Sequence, residues 1–319
     1  MTEGVCVLGD TAVDLIVRLP EINNGVKVMA HAPNLNPGGS GANSAVALAR
    51  LGIPTQFIGT IGEDQYGQVV EQDFINEKVG VDQLFVEPTL NTVCVFAFID
   101  QDGERFLWGW PKENASFISI EFERINLDRI KETGWLHTTG ILLGTESSGR
   151  DATLKALEWA HKNGVTTSLD LNLRVGESGQ ALEKEFYDVV MNAVSNSKYV
   201  LGSDQEFSLL DPSNNWEKTV EKLVKLEKVA VVRRGKEGSV LITDGQRISS
   251  PAFEVDVVDT IGAGDVFDAG FIAAILKNHD FSTALQWGNA VAGYTISMEG
   301  ARTSPTFEQM EDFIRKKMG

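Results

Sequence analysis

The sequence predicts an α/β protein: a doubly wound, mostly parallel sheet with helices on both faces, plus a small antiparallel β-sheet lid. Three observations point there. From residue 41 onward, helix-like and strand-like segments alternate. Two stretches, 12–30 and 92–110, interrupt that alternation with period-two patterning. The chain has 319 residues, 42% hydrophobic and 23% charged, enough for one large core and unlike a disordered composition. We therefore expect one domain over 1–319, its lid formed by insertions about 12–36 and 91–112.

The elements follow in order. Helices are predicted over 41–51, 64–79, 148–163, 179–194, 215–227, 264–277, 281–298 and 306–318. Between them lie apolar runs that read as strands: Thr55–Gly59, Trp135–Thr138, Val165–Leu171, Tyr199–Leu201, Val229–Val232 and Phe253–Val258. In 12–30, Val13, Leu15, Val17 and Leu19 alternate, followed by Val26 and Val28. Residues 92–110 read as a hairpin, Thr92–Asp100 and Arg105–Trp110 around a Gln-Asp-Gly turn. Phe106, Trp108 and Trp110 share one face of its second arm, which either packs on the body, covers a cleft or meets a second copy.

Composition excludes several functions. The net charge of −17 disfavours a phosphate-backbone binder and an anionic membrane surface. No run of about 18 apolar residues is present. The N-terminus has acids where a signal peptide carries Lys or Arg, so the cytoplasm is expected. Cys6 and Cys94 sit in strand-like runs and read as buried thiols rather than a disulfide. His31, His137, His161 and His279 are scattered, with no zinc pattern.

Asp259-Thr260-Ile261-Gly262-Ala263-Gly264-Asp265 is the strongest chemical signal. It opens a helix whose apolar face runs Val266, Phe267, Phe271, Ile272, Ile275 and Leu276. Small residues admit a ligand close to the backbone, and a helix start binds anions through its N–H groups and dipole. An acid at that mouth, Asp265, suits taking a proton from a hydroxyl while Gly262, Ala263 and Gly264 hold a transferring phosphoryl group. The plainer reading is that Asp265 caps the helix.

Gly38-Gly39-Ser40-Gly41-Ala42-Asn43 opens another helix that ends at Gly52. Asn43 offers a donor and an acceptor to hydroxyls, or the glycines only make a turn. A dinucleotide-binding reading fits poorly, because NLNP precedes the glycines instead of a strand. Asp10 and Asp14 follow the first strand and suit a polyol, or are solvated turn acids. Arg174, in Asp170-Leu171-Asn172-Leu173-Arg174, suits a carboxylate or phosphate. Arg233-Arg234-Gly235-Lys236-Glu237-Gly238 would face phosphates or form a charged hairpin tip.

Taken together, GDTAVD, GGSGANSAVALARLG, IGEDQYG, DLNLR, RRGKEGS and DTIGAGDVFDAGF resemble the ribokinase-like (PfkB) carbohydrate kinases over essentially the whole chain. The last motif is the most specific. The resemblance implies an ATP-dependent sugar kinase acting on a 2-keto-3-deoxygluconate, fructose or ribose type of substrate, with a nucleoside kinase or a non-catalytic sugar-binding regulator as rivals. A dehydrogenase is a distant third option. It implies Asp265 as base, Gly262, Ala263 and Gly264 as anion hole, and Asp10, Asp14, Gly38, Gly39 and Asn43 as sugar contacts. Gly235, Gly238 and Asn289 would lie along the nucleotide, with Ser203 and Glu206 near Mg²⁺ and phosphate. Asp259, Ile261, Thr295, Met298, Gly300 and Ser304 would hold a monovalent cation such as K⁺. The expected partners are the sugar, ATP and a second copy joined through the lid. The chain departs from the pattern twice: Ser203 stands where Asn is usual, and Arg233-Arg234 where Thr or Lys is followed by Leu. Arg233 would then add a charge contact to the nucleotide.

Overall fold

The computed structural model describes residues 4–18, 34–99, 105–111, 113–173 and 182–318. The chain enters through β1 (Val5–Leu8), then β2 (Ala12–Arg18), β3 (Asn34–Gly38) and α1 (Ser40–Arg50). Next come β4 (Thr55–Gly62), α2 (Gln65–Asn76), β5 (Gly80–Glu87), β6 (Val93–Ile99) and β7 (Arg105–Trp110). They are followed by α3 (Leu127–Thr133), β8 (Trp135–Thr139), α4 (Ser148–Lys162), β9 (Thr166–Asp170), α5 (Lys184–Ser195) and β10 (Tyr199–Ser203). The last part holds α6 (Asp204–Leu209), α7 (Trp216–Lys225), β11 (Val229–Arg233), β12 (Ser239–Thr243), β13 (Gln246–Ser250), α8 (Ala263–Leu276), α9 (Phe281–Ile296) and α10 (Phe307–Met318).

Nine strands form one sheet in the order β13-β12-β11-β10-β9-β8-β1-β4-β5. Pairing is parallel from β5 to β11, while β12 and β13 run antiparallel at the edge. The chain grows to one side of β1 through β4 and β5, then to the other through β8. That reversal leaves a crevice beyond the ends of β1 and β8, where open α/β sheets bind ligands. Strand β1 is buried on both faces: Val5 and Val7 join the core under α1, α2, α8 and α9, whereas Cys6 and Leu8 join the core under α4, α5 and α7. Both cysteines are free and buried, as expected. Among the described residues no helix is long and apolar enough to cross a membrane.

The second sheet has the order β3-β2-β6-β7 and is the expected lid, but it is mixed rather than antiparallel: β2 and β6 come from separate insertions and pair in parallel. Its two segments come from the two expected insertions; 19–33, 100–104 and 112 lie outside the described residues. Alternation gives it two faces. Ala12, Asp14, Ile16, Val93, Val95 and Ala97 look into a cavity. The opposite face carries Phe96 against Trp108, with ring centroids 5.0 Å apart, and Phe98 paired with Phe106. The sheet is therefore a cleft cover, but the aromatic residues are not the side that covers.

Two expectations need correction. Phe253–Val258 is irregular, not a strand. Pro251 starts the segment, and Val258 N–H and Asp259 N–H donate to Ile296 O on α9 instead of to a strand. NLNPG before α1 is a strand after all, but a lid strand, so no βαβ crossover exists there. Strands β5 and β13 and helices α3 and α6 were not predicted.

The join of β1 to α1 is made backbone on backbone. A Cβ on Gly9 would lie 2.7 Å from Gly41 Cα, and one on Gly41 would lie 2.7 Å from Gly9 Cα. Gly9→Ala or Gly41→Ala must therefore part the two elements. We expect a stability loss of about 1–3 kcal/mol in denaturant unfolding, with either variant less stable than wild type.

Candidate active site

Asp10 follows β1 after Gly9. Its Oδ2 accepts from Ser40 N–H and its Oδ1 from Gly41 N–H, both at 2.9 Å. A carboxylate from 30 residues upstream thus satisfies the orphan amides of the first turn of α1, where the helix dipole also favours it. Thr139 at the end of β8 approaches the same carboxylate, Oγ1 to Oδ1 at 3.5 Å. Asp10 is a structural tie as well as a cavity wall.

Helix α8 begins against this corner. Gly262 is its N-cap residue at φ 75°, a left-handed conformation that glycine adopts without strain. Ala263 N–H donates to Thr260 O at 3.3 Å, so that member of the expected anion hole is turned into its own loop. Asp265 does not cap the helix: it sits in the first turn, 6% exposed, with no capping bond. Its Oδ2 accepts from Asn43 Nδ2 at 2.8 Å, and Asn172 Nδ2 lies 3.4 Å from its Oδ1. Burial, more than anything else, pushes its carboxyl up to about 7. The charges of Asp170 and Asp10 add to the rise, while the Asn43 bond and Arg233 oppose it. Ser44 Oγ–H donates to Asp265 O at 3.1 Å and secures the turn.

Asp10, Asp14, Gly39, Asn43, Gly262 and Asp265 line one cavity of about 530 Å³. Asp259, Ile261 and Gly300, expected at a cation site, border it too. Gly38 stands just behind, where a Cβ would come within 2.6 Å of Asp14 Oδ2. Asp14 is raised from the ordinary carboxylate value, mainly by burial, with the Arg302 charge opposing. Apolar walls come from the lid face and from Phe117 and Ile141. Arg174 lies outside the described residues.

The residues expected along the nucleotide gather elsewhere. Ser203 caps α6 in a reciprocal box with Glu206: Glu206 Oε2 accepts from Ser203 N–H at 2.7 Å and from its hydroxyl at 2.9 Å. Glu206 Oε1 accepts from Leu173 N–H at 2.9 Å. Arg233 is turned into the protein rather than outward. Nη2 pairs with Asp170 at 2.7 Å and Nη1 with Asp268 at 2.6 Å, and Glu206 is 3.5 Å away. Its Cζ would lie 3.2 Å from a Cβ on Gly264, so the guanidinium packs directly beneath the start of α8. Asp268 is pushed well up, first by burial. Arg234 and Glu237 form the charged pair of the hairpin tip between β11 and β12, where Gly235 and Gly238 turn the chain. Asn289 Nδ2 donates to Ser250 O and Pro251 O, both at 3.1 Å, pinning the chain after β13.

The cation residues Asp259 and Ile261, before α8, meet the end of α9, where Thr295 is helical and Met298 and Gly300 follow. Asp259 accepts from Ile261 N–H at 3.1 Å and Gly300 N–H at 3.2 Å, and Thr295 O accepts from Met298 N–H at 3.0 Å. Ser304 O instead accepts from Arg50 Nη1 at 2.8 Å. Among the described residues, no group of three His, Cys, Asp or Glu is arranged for a metal. Sequence reading missed Asp170, Asn172 and Asp268, and also Arg302, whose Nη1 donates to Asn43 Oδ1 at 2.9 Å. The DLNLR and GDVFDAG runs contain the first three; nothing local marks Arg302.

The architecture is a ribokinase-like α/β fold. It superposes on the crystal structure of a fructokinase with bound ATP from Xylella fastidiosa with a TM-score of 0.85, covering 100% of both chains at 20% identity. Residues 2–307 match the pfkB family of carbohydrate kinases, and the chain belongs to that family. It is 31% identical to the fructokinase of Vibrio alginolyticus over 97% of this chain and 98% of that one. It is also 31% identical to the 5-dehydro-2-deoxygluconokinase of Clostridium botulinum (strain Alaska E43 / Type E3), over 88% of this chain and 84% of that one.

Asp265 should weaken the fold that holds it. Its carboxyl is raised from 3.8 to about 7, so the native charged form is disfavoured once pH exceeds the unfolded value. Asp265→Asn should therefore melt higher than wild type at about pH 8. The gain should shrink toward about pH 4, where the native acid is already protonated. Thermal melts at both pH values check this; a lower melting temperature at pH 8 would contradict it.

Proposed function

We propose that this carbohydrate kinase transfers the γ-phosphoryl group of ATP to a hydroxyl of a neutral sugar of the fructose or ribose type. The observation that carries the substrate class is the polarity of the cavity. Its described polar wall consists of acids, amides and hydroxyls, notably Asp10, Asp14, Asn36, Asn43 and Asp265, and no Lys or Arg lines it among the described residues. Carboxylates accept hydrogen bonds from sugar hydroxyls and repel a substrate carboxylate or phosphate. The apolar lid face suits the C–H face of a sugar ring. A sugar acid such as 2-keto-3-deoxygluconate would need Arg174. The lid aromatics face away from the cavity, Phe106 at 63% and Trp108 at 52% exposed, which counts against a nucleoside base stacked on them.

In this reading the sugar hydroxyl gives its proton to Asp265, and its oxygen attacks the γ-phosphorus in line. The bond from that phosphorus to the β–γ bridging oxygen breaks, and ADP leaves with the electron pair. Amides at the start of α8, around Gly262 and Gly264, stabilise the charge on the moving group, with the Arg233 guanidinium beneath them. ATP brings Mg²⁺, held mainly by phosphate and water, which neutralises phosphate charge. Glu206 Oε2 is taken by the Ser203 N–H and hydroxyl, while Oε1 accepts only from Leu173 N–H and keeps a lone pair that would serve that ion directly or through water. Gly235, Gly238 and Asn289 would border the nucleotide. A monovalent cation would use main-chain carbonyls around Ile261, Met298 and Gly300; Thr295 O already accepts from Met298 N–H and the Thr303 hydroxyl, and no step depends on the ion. The cytoplasm supplies the ATP. The exposed outer face of the lid supports pairing of two copies, with sedimentation of a Trp108→Glu variant as the check.

Asp265→Asn should cost about 10²–10⁴ in kcat with an intact fold; wild-type turnover would refute the base assignment. In wild type, kcat/KM should fall below about pH 7, as the base with its pKa of about 7 protonates. In an ADP-release panel, fructose and ribose should exceed 2-keto-3-deoxygluconate, ribose 1-phosphate and nucleosides. An anionic sugar ranked first would overturn the substrate reading.

A further inference from the structure

Arg302 is far from Asn43 in sequence and is held from three sides. Its Nη1 donates to Asn43 Oδ1 at 2.9 Å. Its Nε pairs with Asp73 Oδ2 of α2 at 3.2 Å, and the side chain is 11% exposed. Its backbone carbonyl accepts from Arg50 Nη1 at 2.7 Å, and Arg50 in turn grips Glu77 with two bonds at 2.6 and 2.8 Å. Nε and Nη2 are both buried without a hydrogen-bond acceptor, so Asp73 holds the guanidinium by charge alone and the bond to Asn43 directs the fork.

An amide side chain has one accepting end and one donating end. With Oδ1 of Asn43 fixed on a guanidinium, which can only donate, Nδ2 must point the other way. There it meets Asp265 Oδ2 at 2.8 Å. Reversing the amide would set its NH₂ against the Arg302 donors and its oxygen against the Asp265 carboxylate. We infer that Arg302 is a positioning residue for the reaction: through Asn43 it fixes the carboxylate of Asp265 in the orientation that receives the sugar proton. The relay Asp73–Arg302–Asn43–Asp265 joins α2, the loop before α10, α1 and α8.

This inference rests on Asp265 being the base. The charged groups that reach Asp265 are Asp10 after β1, Asp170 of β9, Arg233 of β11 and Asp268 on its own helix. The Asn43 bond favours the ionised form of Asp265 against its burial. Loss of that bond therefore raises the pH at which the base becomes competent.

The test is the pH profile of kcat/KM by ADP release, for wild type, Arg302→Met, Asn43→Ala and the double variant. The acid limb should move up by about half to one pH unit in each single variant. Activity at about pH 6 then falls about three- to tenfold further than at pH 9. The double variant should show no more displacement than Asn43→Ala alone. Arg302 also acts on Asp14, so additive displacements in the double variant would place its effect there and overturn the relay. A lowered melting temperature with an unmoved limb would leave Arg302 a purely structural residue and also overturn it. Arg302→Lys keeps the charge beside Asp73 without the rigid fork. Its limb should shift as well, and an unmoved limb in that variant defeats the inference even if Arg302→Met does not fold. Full turnover in Asp265→Asn would instead remove the base assignment itself, so the two failures are distinguishable.

Discussion

The site depends on the tie between Asp10 and the first turn of α1. Two amides point at one carboxylate across a contact so close that both backbones must be glycine there, at Gly9 and Gly41. That contact sets the height of α1 against the sheet. It therefore sets where Asn43 stands, one turn into the helix, and what Asn43 can reach on α8. The strand reversal at β1 and β8 opens the crevice, and this tie decides which side chains look into it.

The second constraint is charge held out of water. Asp265, Asp170 and Asp268 are all nearly inaccessible, with Arg233 the cation among them. Such a cluster is poor evidence of stability, since desolvation of each ion rivals the attraction between them. What it provides is a fixed field under the start of α8, where the proposed reaction has to accommodate negative charge. The raised pKa of Asp265 follows from the same dryness: burial disfavours the charged carboxylate and so makes it a stronger base than one in water, as the proposed role requires.

Much of this was legible in the sequence, and the failures have physical causes. Alternation of helices and strands pointed to the parallel sheet, and period-two runs at 12–30 and 92–110 to the second sheet, because both patterns are local. Asp265 stood out because glycine, alanine and glycine precede it at a helix start. Phe253–Val258 misled for the same reason: its alternating apolar residues mimic a strand, yet Val257 and Val258 are more than half exposed, and the segment bonds to a helix end. Arg233 read as a nucleotide contact or a hairpin charge, because sequence shows position along a strand end but not that the side chain turns inward to Asp170 and Asp268. Arg302 gave no signal, since its meaning lies entirely in partners on α1 and α2. The orientation of Asn43 was hidden with it.

The lid is stitched in an unusual order. Strands β2 and β6 pair in parallel, Ala12 opposite Val93, whereas each outer strand is a near neighbour of its partner. The central seam therefore joins segments some eighty residues apart, and the intervening chain includes α1, β4, α2 and β5. Closing so wide a loop is entropically costly until the intervening elements are already compact. The roof over the cavity therefore leans on its floor: the seam is held together by the packing of the elements that separate its two strands in sequence.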